Sequence, residues 1–195
     1  MSRTIEKTVF TFDELSETAK EKAREWYREG ALDYEWYDAV YKDAMACAKI
    51  LGIDITKIYF SGFSSQGDGA CFKGSYSYAK EAPKAIKAYA PNDKELLRIA
   101  YALQSAQRKA FYQLYATTEH RGHYYHSGCM AVSVEHGNRD VSEAEEDTVT
   151  QALRDFAGEI YVSLEKEYEW LDSDEQVDEN IIANEYEFTK EGASA

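Results

Sequence analysis

The sequence predicts an α+β protein, a small antiparallel sheet packed with several amphipathic helices. Three observations carry that reading. Residues 58–63 and 70–78 are rich in aromatic and β-branched side chains, which suit a pleated, half-buried surface. Between them stands Ser64-Ser65-Gln66-Gly67-Asp68-Gly69, whose glycines and aspartate are turn formers, so about 58–78 reads as a β-hairpin. Finally, several other stretches repeat apolar residues every three or four positions without strict strand–helix alternation, which separates α+β from a doubly wound fold.

In order, residues 4–12 alternate as a strand, and Ser16 caps a helix over 17–29. Ala19, Ala23, Trp26 and Tyr27 form its apolar stripe, and Gly30 stands where a helix stops. A second helix over about 33–51 aligns Trp36, Val40, Ala44, Cys47 and Leu51 and ends at Gly52. Cys47 on that stripe reads as a small buried hydrophobe. Pro83 opens a short helix within 79–90. Asn92 with Glu95 opens a long one to about 117, faced by Leu96, Ala100, Leu103, Gln107, Ala110 and Leu114. Gln107 on that face is expected to find a buried partner.

Residues 121–135 have the alternation of a third strand, which the hairpin needs for stability. Ser142 with Glu145 caps the last long helix, whose core stripe is Val149, Leu153, Phe156, Ile160, Leu164, Tyr168 and Leu171. Its other face is almost wholly Glu and Asp. Ser173 with Gln176 starts a short helix, and 184–189 is expected to close the fold beside 4–12. No repeat or low-complexity linker interrupts the chain. A single domain over 1–195 is expected, with the acidic segment 141–195 packed on it.

The net charge of −14 is unevenly placed. Residues 1–140 carry 19 acidic and 19 basic side chains, whereas 141–195 carry 17 and 3. That field disfavours direct nucleic-acid binding, which needs cations for the phosphates, and suits a basic protein partner. No apolar stretch approaches the roughly 20 residues that span a bilayer, and no apolar leader follows Met1. Three cysteines without a close pair fit free thiols in a reducing cytoplasm.

The loop at 64–69 could hold an anion on backbone N–H groups, although it lacks the Lys-Ser/Thr ending of a P-loop. A hairpin turn alone accounts for the same residues. If the loop binds a ligand, Gln66 and Asp68 supply polar groups, Phe63 and Phe72 the walls, and His126 approaches from the neighbouring strand. His120, His123, His126, Cys129 and His136 invite a metal reading. In a continuous strand, however, His123 and His126 fall on opposite faces, so neither metal nor cofactor is expected. Ser127 or Cys129 beside His126, with Asp68, is the one nucleophile–base grouping. Strand neighbours face apart, so no catalytic residue is assigned and an enzyme acting on a nucleotide-like substrate is the weakest reading. On the acidic helix, Glu159, Glu165, Glu167 and Glu169 are the candidate partner contacts.

Segments within 8–36, 62–72 and 167–188 carry a resemblance. They include Phe10-Thr-Phe-Asp-Glu-Leu-Ser16, Gly62-Phe-Ser-Ser-Gln-Gly-Asp68 and Glu167-Tyr-Glu-Trp170, and they resemble a family of small phage and prophage proteins, some labelled antitoxin-like. The resemblance implies a phage-type origin and supplies no catalytic residue. Two functions are therefore expected. The first is an acidic protein that inhibits a host defence or nucleic-acid-binding factor by contact, in the manner of a nucleic-acid mimic. The second is an antitoxin-like or small-ligand module using the loop.

Overall fold

A computed structural model describes residues 7–195. The elements run β1 Phe10–Thr11, α1 Glu17–Arg28, α2 Asp38–Leu51, β2 Ile53–Phe60, β3 Ala70–Ser77 and α3 Ala82–Tyr89. They continue with α4 Lys94–Lys109, β4 Leu114–His120, β5 Met130–His136, α5 Glu143–Asp172, α6 Asp174–Ala183 and β6 Glu187–Phe188. This is the α+β class. The chain gathers into two compact units, one from the described residues up to Trp36 together with Lys166–Ala195, the other Tyr37–Glu165.

The first unit joins the two ends of the sequence. β1 and β6 pair antiparallel, Phe10 opposite Phe188 and Thr11 opposite Glu187, the closing pair expected between 4–12 and 184–189. Residues 4–6 of the expected strand lie outside the described residues. Phe12, Leu15, Ala19, Ala23, Val177, Ile181 and Phe188 form the core, with Trp26 and Tyr27 packed against it. Gly192 passes so close to α1 that a Cβ there would lie 2.1 Å from the Ala19 carbonyl oxygen. Charge reinforces this small core. Arg24 donates to both Asp178 oxygens at 2.6 and 2.7 Å, and Arg28 donates to the Asp172 carbonyl at 2.8 Å and to Asp174 at 2.6 Å.

α6 ends in a Schellman motif: Glu185 N–H donates to the Ile182 carbonyl and Tyr186 N–H to that of Ile181. The left-handed position, usually glycine, is Glu185 with φ of 53°. Ser173 caps the start of α6, its hydroxyl accepting from Gln176 N–H at 3.3 Å, as the sequence predicts.

The second unit holds a four-stranded antiparallel sheet in the order β2-β3-β4-β5. The hairpin is present, with its first strand beginning at Ile53 rather than 58 and interrupted by a bulge between Ile55 and Lys57. The long helix expected to reach 117 stops at Lys109. Phe111 and Tyr112 take positive φ of 49° and 62°, and the chain re-enters the sheet as β4. Helical periodicity through Ala110 and Leu114 hid this strand, whose own residues alternate buried and exposed.

Gln107 locks that turn. Wholly buried, it donates from Nε2 to the Leu114 carbonyl at 2.7 Å and accepts from Leu114 N–H at 3.1 Å, the buried partner expected of it. α5 contributes Val149, Leu153, Phe156, Ile160 and Leu164 to the core as predicted. Its start is the expected Ser142–Glu145 pair: Glu145 accepts from Ser142 N–H at 3.0 Å and from its hydroxyl at 2.8 Å. The cap of α4 is Asp93, one residue beyond the predicted Asn92, accepting from Leu96 N–H at 2.8 Å.

Candidate functional site

Asp68 folds the loop onto itself. Its Oδ2 accepts from Ser65 N–H at 2.6 Å and Ser64 N–H at 3.0 Å, and these bonds lower its pKa. Two of the N–H groups expected to cradle an anion, those of Ser64 and Ser65, are thus occupied by the chain's own carboxylate, whose charge repels a second anion. Phe63 is held between Phe60 and Tyr161, with ring centroids 6.2 and 5.4 Å away, and the Tyr161 hydroxyl donates to the Gly62 carbonyl at 3.1 Å. Gln66 is exposed at the tip. Phe72 does not wall the loop. It is wholly buried and meets Phe156 edge-on at 6.0 Å, because its place in β3 opposite Ile58 turns it into the core.

The expected strand over 121–135 is also corrected. Only Met130–His136 is strand, and Ser127–Cys129 forms a single 3₁₀ turn. Three-residue spacing that separates side chains on a strand brings them together on such a turn. His126 Nδ1 accepts from Gly128 N–H at 3.1 Å, leaving the proton on Nε2, which lies 3.5 Å from Cys129 Sγ. This tautomer donates to sulfur rather than taking a proton from it, so the pair is not a general base with its nucleophile. The turn formers Ser127 and Gly128 inside an alternating run were the signal for it.

Gly69 lets the two loops meet, since a Cβ there would lie 2.6 Å from His126 Cα. Tyr125 stacks on Tyr59 at 5.7 Å, with His120 5.1 Å from both rings. Cys71 and Cys47 are buried thiols, both pushed up to about 11 chiefly by burial. His123 is exposed, while His136 Nε2 donates to the Ala110 carbonyl at 3.2 Å. Among the described residues no three His, Cys, Asp or Glu converge where a metal ion would sit.

The four acidic candidates divide between the units. Glu159 and Glu165 belong to the second, where Glu159 lines a small cavity of about 50 Å³ with Asp43, Asp93 and Cys47. Asp43 accepts from the Tyr89 hydroxyl at 2.6 Å, and Asp93 is the α4 cap, so two of those carboxylates have structural duties. Glu167, half-buried, and Glu169, exposed, belong to the first unit. That unit is where charge concentrates. Residues 1–36 and 166–195 carry 19 acidic and 8 basic side chains, and 37–165 carry 17 and 14. Most of that excess lies in 166–195, with 10 acidic and 2 basic side chains; α1 adds none, since its Glu17, Glu21 and Glu25 are outnumbered by Lys20, Lys22, Arg24 and Arg28.

These features define an α+β protein with a weakly acidic sheet unit and a strongly acidic unit built from the chain's two ends. Among the described residues no helix is long and apolar enough to cross a membrane. The chain belongs to a family described as a domain of unknown function, DUF8835, whose model matches residues 36–174. No curated protein and no solved structure matches it. The matched range spans the whole second unit and only Trp36 and 166–174 of the first.

Proposed function

We propose that the protein works by contact, as an acidic phage-type binding protein in the host cytoplasm. Its target is a basic host factor, of defence or of nucleic-acid binding, whose groove it occupies and thereby inhibits. The observation that carries the reading is the 19-to-8 excess of acid over base in the first unit. Arg24 and Arg28 do not offset it at the surface, because both are engaged by Asp172, Asp174 and Asp178. An excess of one sign steers a partner of the other and weakens with salt. The resemblance to phage and prophage proteins supports a host target.

The test is capture from a bacterial lysate with a salt step, followed by an assay of whether the captured factor still binds DNA. Changing Glu167, Glu169, Glu175 and Glu179 to Lys should abolish capture and leave the melting temperature nearly unchanged. Undiminished capture by that variant, or a submicromolar gel shift of duplex DNA by the protein alone, overturns the reading. The His126–Cys129 contact favours a second reading, an antitoxin-like or small-ligand module at the loop. In that case Gln66→Ala and Cys129→Ser, rather than the charge reversals, remove activity.

A further inference from the structure

At the C-terminal end of α1 the first unit opens into a cleft of about 570 Å³. Four of its walls are aromatic: Trp26, Tyr27, Tyr34 and Tyr186, with Glu29 at the same end of the helix. Trp26 and Tyr186 stand nearly perpendicular, centroids 5.2 Å apart at 82°, and Tyr27 meets Tyr186 at 6.2 Å and 60°. The pair is fixed from behind. Trp26 rests edge-on against buried Phe188 at 5.6 Å, and the Schellman bond to the Ile181 carbonyl sets the backbone of Tyr186. Tyr34 stays 59% exposed, available to a ligand.

Three properties of this cleft select the same ligand charge. Ring faces attract a cation through their quadrupoles, most strongly where several surround it. The C-terminal end of a helix carries partial negative charge. Glu29 adds a full charge, within a unit already rich in acid. The nearest guanidinium in sequence, Arg28, is turned to Asp172 and Asp174 instead.

We infer that this cleft is the receptor for a lysine or arginine side chain presented by a basic polypeptide. The inference rests on the contact reading above and deepens it: the acidic surface gathers the partner, and the aromatic cleft takes one of its side chains. Steering by exposed carboxylates is screened by salt, whereas a cation against ring faces is held by shorter-range forces.

Calorimetric titration of the full chain tests it, using a capped hexapeptide of alternating arginine and glycine and the same peptide with neutral citrulline for arginine. The arginine peptide should bind and the citrulline peptide should not. Tyr34→Ala and Glu29→Gln, both at exposed positions, should each weaken binding by about threefold to tenfold without shifting the melting temperature. Tetramethylammonium chloride should displace the peptide more effectively than sodium chloride at matched ionic strength.

If Tyr34→Ala and Glu29→Gln leave the affinity intact while the four charge reversals remove it, the cleft is overturned and the contact reading stands. Equal displacement by the two salts overturns the cleft likewise, as does failure of the unaltered chain to bind the arginine peptide. The contact reading is then judged separately by capture of the protein partner.

Discussion

The two units hold together by different physics. Tyr37–Glu165 buries a sheet against helices, and its largest wholly buried side chains, Phe72, Phe156, Leu51, Ile86 and Leu114 among them, make the ordinary apolar core of a small domain. The unit built from both chain ends has a handful of core residues, supplemented by the Arg24–Asp178 and Arg28–Asp174 ion pairs. Its remaining acid is left toward solvent. One unit is organised by burial and is spanned by the family match; the other combines marginal burial with charge. The acidity gathers in the first unit, and within it mostly on residues 166–195.

The largest expected effect separates the units outright. Phe188→Ala removes the ring shared by Phe12 and Trp26 and should cost about 3–5 kcal/mol. Hydrogen exchange should then show lost protection in α1 and α6 while β2–β5 remain protected. Simultaneous loss in both would mean that they melt as one.

Next, Gln107→Leu leaves both backbone groups of Leu114 buried and unpaired, and should cost about 2–3 kcal/mol. Denaturant unfolding measures this, and the loss of protection should centre on α4 and β4.

A smaller effect depends on acid. Arg139, followed by the Ser142 N–H, holds the Glu145 carboxyl down at about 2. A depressed folded pKa gives stability that is complete above the unfolded value near 4.5 and is lost as pH falls toward 2. Because Arg139 is 42% exposed, screening limits the contribution to about 1–2 kcal/mol. Thermal melts at pH 5 and pH 3 should converge partly in Glu145→Gln.

The smallest expected change is a gain. Glu185→Gly relieves a left-handed glutamate and should stabilise the first unit by up to about 1 kcal/mol, seen as a higher melting temperature. An unchanged or lower value would show that side-chain contacts of Glu185 outweigh its backbone strain.

Much of the secondary structure was legible because it is written in local periodicity. The stripe Val149-Leu153-Phe156-Ile160-Leu164, the capping pairs at Ser142 and Ser173, and the stop at Gly52 all declare themselves within a few residues. β4 was not legible, because Ala110 and Leu114 also fit the helical face and no strong breaker stands between them. The turn at Phe111 and Tyr112 depends on Gln107 and Leu114 bonding across it. In the loop, Asp68 was read correctly as turn chemistry, whereas the burial of Phe72 depends on which face its register gives it.

The sequence by itself determined the class of fold, most helices, the closing strand pair and the acidity of 141–195. Those follow from side-chain period, caps and charge, properties a chain carries before it folds. Only the tertiary structure decided that the two chain ends form one unit, that His126 meets Cys129, and that Trp26, Tyr34 and Tyr186 surround one cleft. The cleft joins residues more than a hundred positions apart, and the pairing of His126 with Cys129 depends on a turn replacing a strand. Proximity of that kind is set by packing and backbone geometry, which leave no period in the sequence.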